Sequence, residues 1–140
     1  MIFLRGIRIY LEVYRYDKKE NSMHFKVFLN NGTEIGNIVL RYIDSKRRCA
    51  TIGMIIENQN YRGNGYGTEA GRVLLDYSFN ILGLRRVEAE TMENNEGGQR
   101  SLEKIGLVLE GKKRKAKVSE GRWWDIFYYG ILREEFNKHK

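Results

Sequence analysis

Ile7, Ile9, Leu11 and Val13 alternate with Arg8, Tyr10, Glu12 and Tyr14, and a period of two predicts a strand with one side turned to a core. The polar run Asp17 to Ser22 predicts a turn. Two more strands are predicted over His24 to Leu29 and Glu34 to Tyr42, joined through Asn30-Asn31-Gly32, a hairpin signal. Asp44 to Arg48 is a second charged turn, and Ala50 to Ile56 is an apolar, β-branched run that predicts a more deeply buried strand. The first third therefore reads as an antiparallel meander.

The period changes after Asn60. A loop with three glycines, Tyr61 to Gly67, leads into a stretch from Thr68 to Leu82 in which Ala70, Val73, Leu74, Tyr77 and Ile81 share one helical face. Gly83 marks the end of that helix. Arg86 to Thr91 alternates as a strand, Asn94 to Gly98 reads as a loop, and Ser101 to Ile105 predicts a short helix closed by Gly106. Leu107 to Val118 and Arg122 to Leu132 are strand candidates meeting at Ser119-Glu120-Gly121. No repeat or linker interrupts the pattern. The reading is one α/β domain over residues 1–140, with a mixed, mostly antiparallel sheet, few helices and a β–loop–α–β unit at its centre.

Composition narrows the function. The chain has 140 residues, 41% hydrophobic and 31% charged, which excludes disorder and collagen. Arg5, Arg8, Glu12 and Arg15 break up the N-terminal apolar stretch, so no signal peptide or membrane span is expected and the cytoplasm is the expected location. Cys49 is the only cysteine, and His24 and His139 are the only histidines, so neither a disulfide nor a metal centre is expected. The formal net charge of +7 favours anionic partners.

The strand, the loop with Gly63, Gly65 and Gly67, and the helix that follows bring free backbone N–H groups, the positive end of a helix and Arg62 to one place. That is a setting for an anion; the plain alternative is a tight turn. A nucleotide P-loop needs Gly-Lys-Ser/Thr, whereas Gly67 is followed by Thr68 and Glu69. A dinucleotide fingerprint needs G-x-G-x-x-G, which the spacing also fails.

The spacing Arg62-x-x-Gly65-x-Gly67 resembles the acetyl-CoA motif R/Q-x-x-G-x-G/A of the GNAT N-acetyltransferases. Ile52 to Ile56 before it, Leu74 to Phe79 after it, Gly83 to Ala89, Asn95, Glu103 to Leu107, Gly121 to Asp125 and Tyr128 to Leu132 resemble the ribosomal-protein-alanine N-acetyltransferase-like branch. The resemblance implies a GNAT fold and transfer of acetyl from acetyl-CoA to a primary amine: a protein N-terminus, a polyamine or another small amine. It implies that the backbone of Arg62, Gly63, Asn64, Gly65, Tyr66, Gly67 and Thr68 holds the CoA pyrophosphate. It places Met54, Ile55 and Ile56 against the pantetheine arm and Asn95 against the cofactor from the loop after the next strand.

The chemistry asks for a base, and Glu57 and Glu90 are the candidates, each with the plain alternative of a solvated carboxylate. Where the family carries a Tyr acid this chain has Leu102, and the family's Ser after the Asn is Gly98; Ser101 and Tyr66 are the nearby hydroxyls. Relatives also carry a helical segment between the first two strands, where this chain has only Asp17 to Ser22. The acceptor pocket is therefore expected to be open, completed by a second subunit in a homodimer, or adapted to another acceptor. These departures keep a non-catalytic acyl-CoA-binding domain as the alternative. Lys112, Lys113, Arg114, Lys115 and Lys117 with Trp123 and Trp124 suggest nucleic acid, but read better as a solvated strand edge.

Overall fold

The computed structural model describes residues 2–56 and 59–138. Eight strands form one sheet in the order β1-β2-β3-β4-β5-β6-β8-β7. They are β1 (Phe3–Arg5), β2 (Ile9–Asp17), β3 (Ser22–Leu29), β4 (Glu34–Asp44), β5 (Cys49–Ile56), β6 (Arg86–Met92), β7 (Val108–Ser119) and β8 (Arg122–Leu132). The described α-helices are α1 (Tyr66–Asp76), which continues as a π turn over Tyr77–Ile81, α2 (Glu96–Ile105) and α3 (Arg133–Lys138), and a short 3-10 turn spans Gln59–Tyr61. The expected meander is present, extended by the short edge strand β1.

All pairings are antiparallel except that of β5 with β6, which covers only Cys49–Arg86, Ala50–Val87 and Thr51–Glu88. Beyond that point β5 stays bonded to β4 as far as Ile56, and β6 to β8 as far as Met92. Each strand keeps its outer neighbour while the two diverge from one another. A gap therefore opens in the middle of the sheet.

The strand alternation sends Ile9, Leu11, Phe25, Val27, Ile38, Leu40, Ile52, Val87, Ala89 and Tyr129 to one face, where Ala70, Leu74, Leu75, Ile105 and Phe136 of the helices complete the core. The other face carries Tyr10, His24, Lys26, Phe28, Arg41, Ile55, Glu88 and Glu90, half-buried or exposed. Among the described residues all three helices pack against the first face. β2 and β3 are joined by a short turn, in which Asp17 Oδ1 accepts from the N–H groups of Lys19 and Glu20. No described helix is long and apolar enough to cross a membrane.

Three elements depart from the sequence expectation. Ile7 is not in a strand but in the β1–β2 turn, 89% exposed. The helix after the glycine loop changes to π geometry at Tyr77, which advances the register, so Ser78 and Phe79 turn inward and Ile81 is 71% exposed. α2 begins at Glu96 rather than Ser101, because Asn95 caps it: its Oδ1 accepts from the Gly98 N–H at 2.9 Å.

Candidate active site

The β5 wall of the gap is built by local geometry. Gly65 has φ +80° and is the N-cap of α1, with no side chain serving the first turn. A left-handed residue there directs the chain from the loop into the helix, a conformation costing about 1–2 kcal/mol for residues with a Cβ. Gly63 is also left-handed, at φ +78°. The open N–H groups at the start of α1 lie beside the end of β5, and Arg62 closes the loop by donating from Nε to the Ile56 carbonyl at 2.8 Å. Met54 and Ile56 pack toward the core, leaving Ile55 57% exposed on the opposite face. The structure thus brings Met54–Ile56 and Arg62–Thr68 together as one continuous surface.

The β6 wall holds Glu90 and Asn95. Both line a depression of about 220 Å³, with Thr91, Met92, Asn94, Lys117 and Ile126. Glu90 is exposed, on the face of the sheet away from the helices, and makes no hydrogen bond or ion pair among the described residues. Glu88, one turn of the pleat earlier, is held by Arg86 at 2.8 Å. The Thr91 hydroxyl is buried without a hydrogen-bond partner among the described residues. A Cβ on Gly98 would lie 2.7 Å from Asn95 Nδ2 and 2.9 Å from Thr91 Oγ1, so the absent Ser cannot be restored without moving both. Glu57, the other carboxylate singled out in the sequence, lies outside the described residues.

A feature with no sequence signal joins the N-terminal turn to this site. Glu69, in the first turn of α1, accepts the Ile7 N–H at 2.6 Å and the Arg8 N–H at 2.8 Å on one oxygen, and Arg8 Nε at 2.8 Å on the other. Gly6 makes room for it, since a Cβ there would collide with the carboxylate. Arg8 Nη1 donates to the Asn64 carbonyl at 2.9 Å, and its guanidinium lies 4.6 Å from the centre of the Tyr66 ring. Burial opposes the charge on Glu69, but the backbone donors and Arg8 outweigh it and hold the carboxyl below its usual range. With the folded pKa depressed, the clasp stabilises fully above the ordinary carboxylate pKa of about 4.3, and that stability is lost as pH falls through the lower folded value. Glu69→Gln should therefore lower the melting temperature by a few degrees at pH 7, and the difference from the unsubstituted protein should narrow at pH 3. An equal difference at both values would remove the ionised clasp from the account.

A family model described as acetyltransferase (GNAT) domain matches residues 4–108. Over 122 residues the chain is 35% identical to the uncharacterized N-acetyltransferase YnaD of Bacillus subtilis, covering 86% of this chain and 71% of that protein. It is also 35% identical to the putative ribosomal N-acetyltransferase YdaF of the same organism, covering 80% of this chain and 61%, less than two thirds, of that relative. The spermidine N-acetyltransferase of Vibrio cholerae, solved in complex with CoA and spermine, is 26% identical with a TM-score of 0.78, covering 86% of this chain and 70% of that one. A GNAT-family acetyltransferase from Bacillus anthracis shares the fold over 95% of this chain and 99% of that one, with a TM-score of 0.81 at 24% identity.

Proposed function

The chain belongs to the acetyltransferase (GNAT) family, and from that premise we propose that it acetylates a protein N-terminus presented to the bare face of the sheet at the β5–β6 gap. It is an acetyl-CoA-dependent N-acetyltransferase, and acetyl-CoA supplies a thioester whose carbonyl accepts the amine while thiolate departs. The observation that carries the acceptor reading is the divergence of β5 from β6 after Thr51 and Glu88, with an anion-binding loop at one end and an unengaged carboxylate on the other wall.

The residues present fit that donor. The backbone N–H groups from Arg62 to Thr68, with Gly63 and Gly65 left-handed, suit a diphosphate. The edge of Met54–Ile56 that β6 leaves unpaired suits an extended, amide-bearing arm by strand addition, and an N–H of the same segment near Ile55 suits the developing oxyanion. On the β6 wall the exposed Asn95 amide offers a polar partner. Glu90 takes the proton of the attacking ammonium, directly or through water, because only the neutral amine is a nucleophile. No dedicated acid is needed, since a thiolate of pKa about 8.5 leaves unaided near neutral pH.

An N-terminus suits this face better than a free polycation. Small-molecule sites are concave, whereas the β6 depression is shallow and the β2–β3 turn adds no described wall; a protein acceptor brings its own surface. The +7 net charge repels a polyamine more than it repels a single ammonium. The likeness to a structure holding spermine supports polyamines as the second reading. The test is release of CoA thiol from acetyl-CoA with a panel of N-terminal peptides, spermidine and spermine. Turnover with peptides above that with polyamines supports the reading; turnover with polyamines alone replaces it with the second; none with any amine leaves the non-catalytic alternative.

A further inference from the structure

Arg8 does more than the clasp requires. Two of the three bonds to Glu69 come from the backbone N–H groups of Ile7 and Arg8, so the N-terminal turn is anchored without a guanidinium. Arg8 nevertheless extends along the glycine loop, bonded to Asn64 and lying over Tyr66. Its Nη2 makes no hydrogen bond among the described residues, and lies 3.2 Å from the position of a Cβ on Gly65. The loop's own arginine, Arg62, turns its Nε away to Ile56. Glu69 meanwhile places a negative charge in the first turn of α1, where it opposes any anion held by that turn.

We propose that Arg8 is a diphosphate-binding residue of the acetyl-CoA site, supplied by the β1–β2 turn: its Nη2 donates to the donor's pyrophosphate and its charge cancels Glu69. The inference rests on the acetyl-CoA reading of the loop. A guanidinium suits the task because it stays charged and has donors on three nitrogens: Nε is spent on Glu69 and Nη1 on Asn64, and Nη2 remains beside the loop. Binding of the donor then also secures the N-terminal turn.

Calorimetric titration with CoA and with dephospho-CoA, which keeps the pyrophosphate but lacks the 3′-phosphate, tests this on the unsubstituted chain and on Arg8→Gln, Arg8→Lys and Glu69→Gln. Arg8→Gln should weaken both ligands by the same factor, about 10–50-fold for a charged hydrogen bond, and Arg8→Lys should recover part of it. Glu69→Gln breaks the clasp but leaves the cation, so it should bind CoA at least as well as the unsubstituted chain. Equal weakening by Glu69→Gln and Arg8→Gln would show that Arg8 acts only by holding the turn, and would overturn the proposal. So would undiminished binding by Arg8→Gln, or a loss confined to CoA, which would assign Arg8 to the 3′-phosphate. If Arg8→Gln does not fold, Arg8→Lys against Glu69→Gln makes the same comparison. No binding by the unsubstituted chain overturns the acetyl-CoA reading, and this inference with it.

Discussion

Gly65→Glu is expected to abolish acetyl-CoA binding while leaving a folded protein. A side chain here must adopt φ near +80°, costing about 1–2 kcal/mol, and its Cβ would lie 3.2 Å from Arg8 Nη2, a flexible tip that can shift. The fold survives that with a melting temperature lower by several degrees. Binding does not survive. A carboxylate about 4 Å from a phosphate is repelled by roughly 4 kcal/mol at an effective dielectric of 20, and the same carboxylate captures Arg8. Affinity should fall by at least about 100-fold, read by titration alongside a thermal melt. A folded variant that binds as tightly as the unsubstituted chain would remove the loop from the donor site.

Glu90→Gln should lower kcat by about 10²–10⁴, the range of a single general base, with KM for acetyl-CoA unchanged because Glu90 stands on the opposite wall from the loop. Its dependence on pH is the sharper signature. An α-ammonium has a pKa near 8, so above pH 8 to 9 the acceptor arrives already neutral and the need for a base fades. The variant should be most impaired at pH 6 to 7 and recover part of the lost rate by pH 9. A uniform loss across that range would make Glu90 a binding group, and no loss would move the base to another carboxylate such as Glu57.

How far the sequence foretold this site depends on the range of each contact. The strands, the glycine loop and the left-handed Gly83 and Gly106 are local signals, readable from alternation and residue type, and the structure has them. The α2 boundary misled because Gly97 and Gly98 are poor helix formers, while the Asn95 cap that starts the helix is a matter of geometry. The π turn misled because one extra residue per turn shifts a face without changing composition. The Arg8–Glu69 clasp spans 61 residues and has no periodicity at all. Ile7 and Arg8 looked like the start of a strand, and only the folded chain shows them turned onto α1. The basic run lies in β7, the edge strand opposite β1, almost wholly exposed, where lysines discourage edge pairing.

If the loop after β5 holds acetyl-CoA, the chain can pass its acetyl group to an amine. Calorimetric titration of the purified protein with acetyl-CoA tests the first half, on which the second depends. One site per chain with micromolar affinity is expected, lost in Gly65→Glu. Absence of binding at millimolar donor by a folded, unsubstituted chain would contradict it.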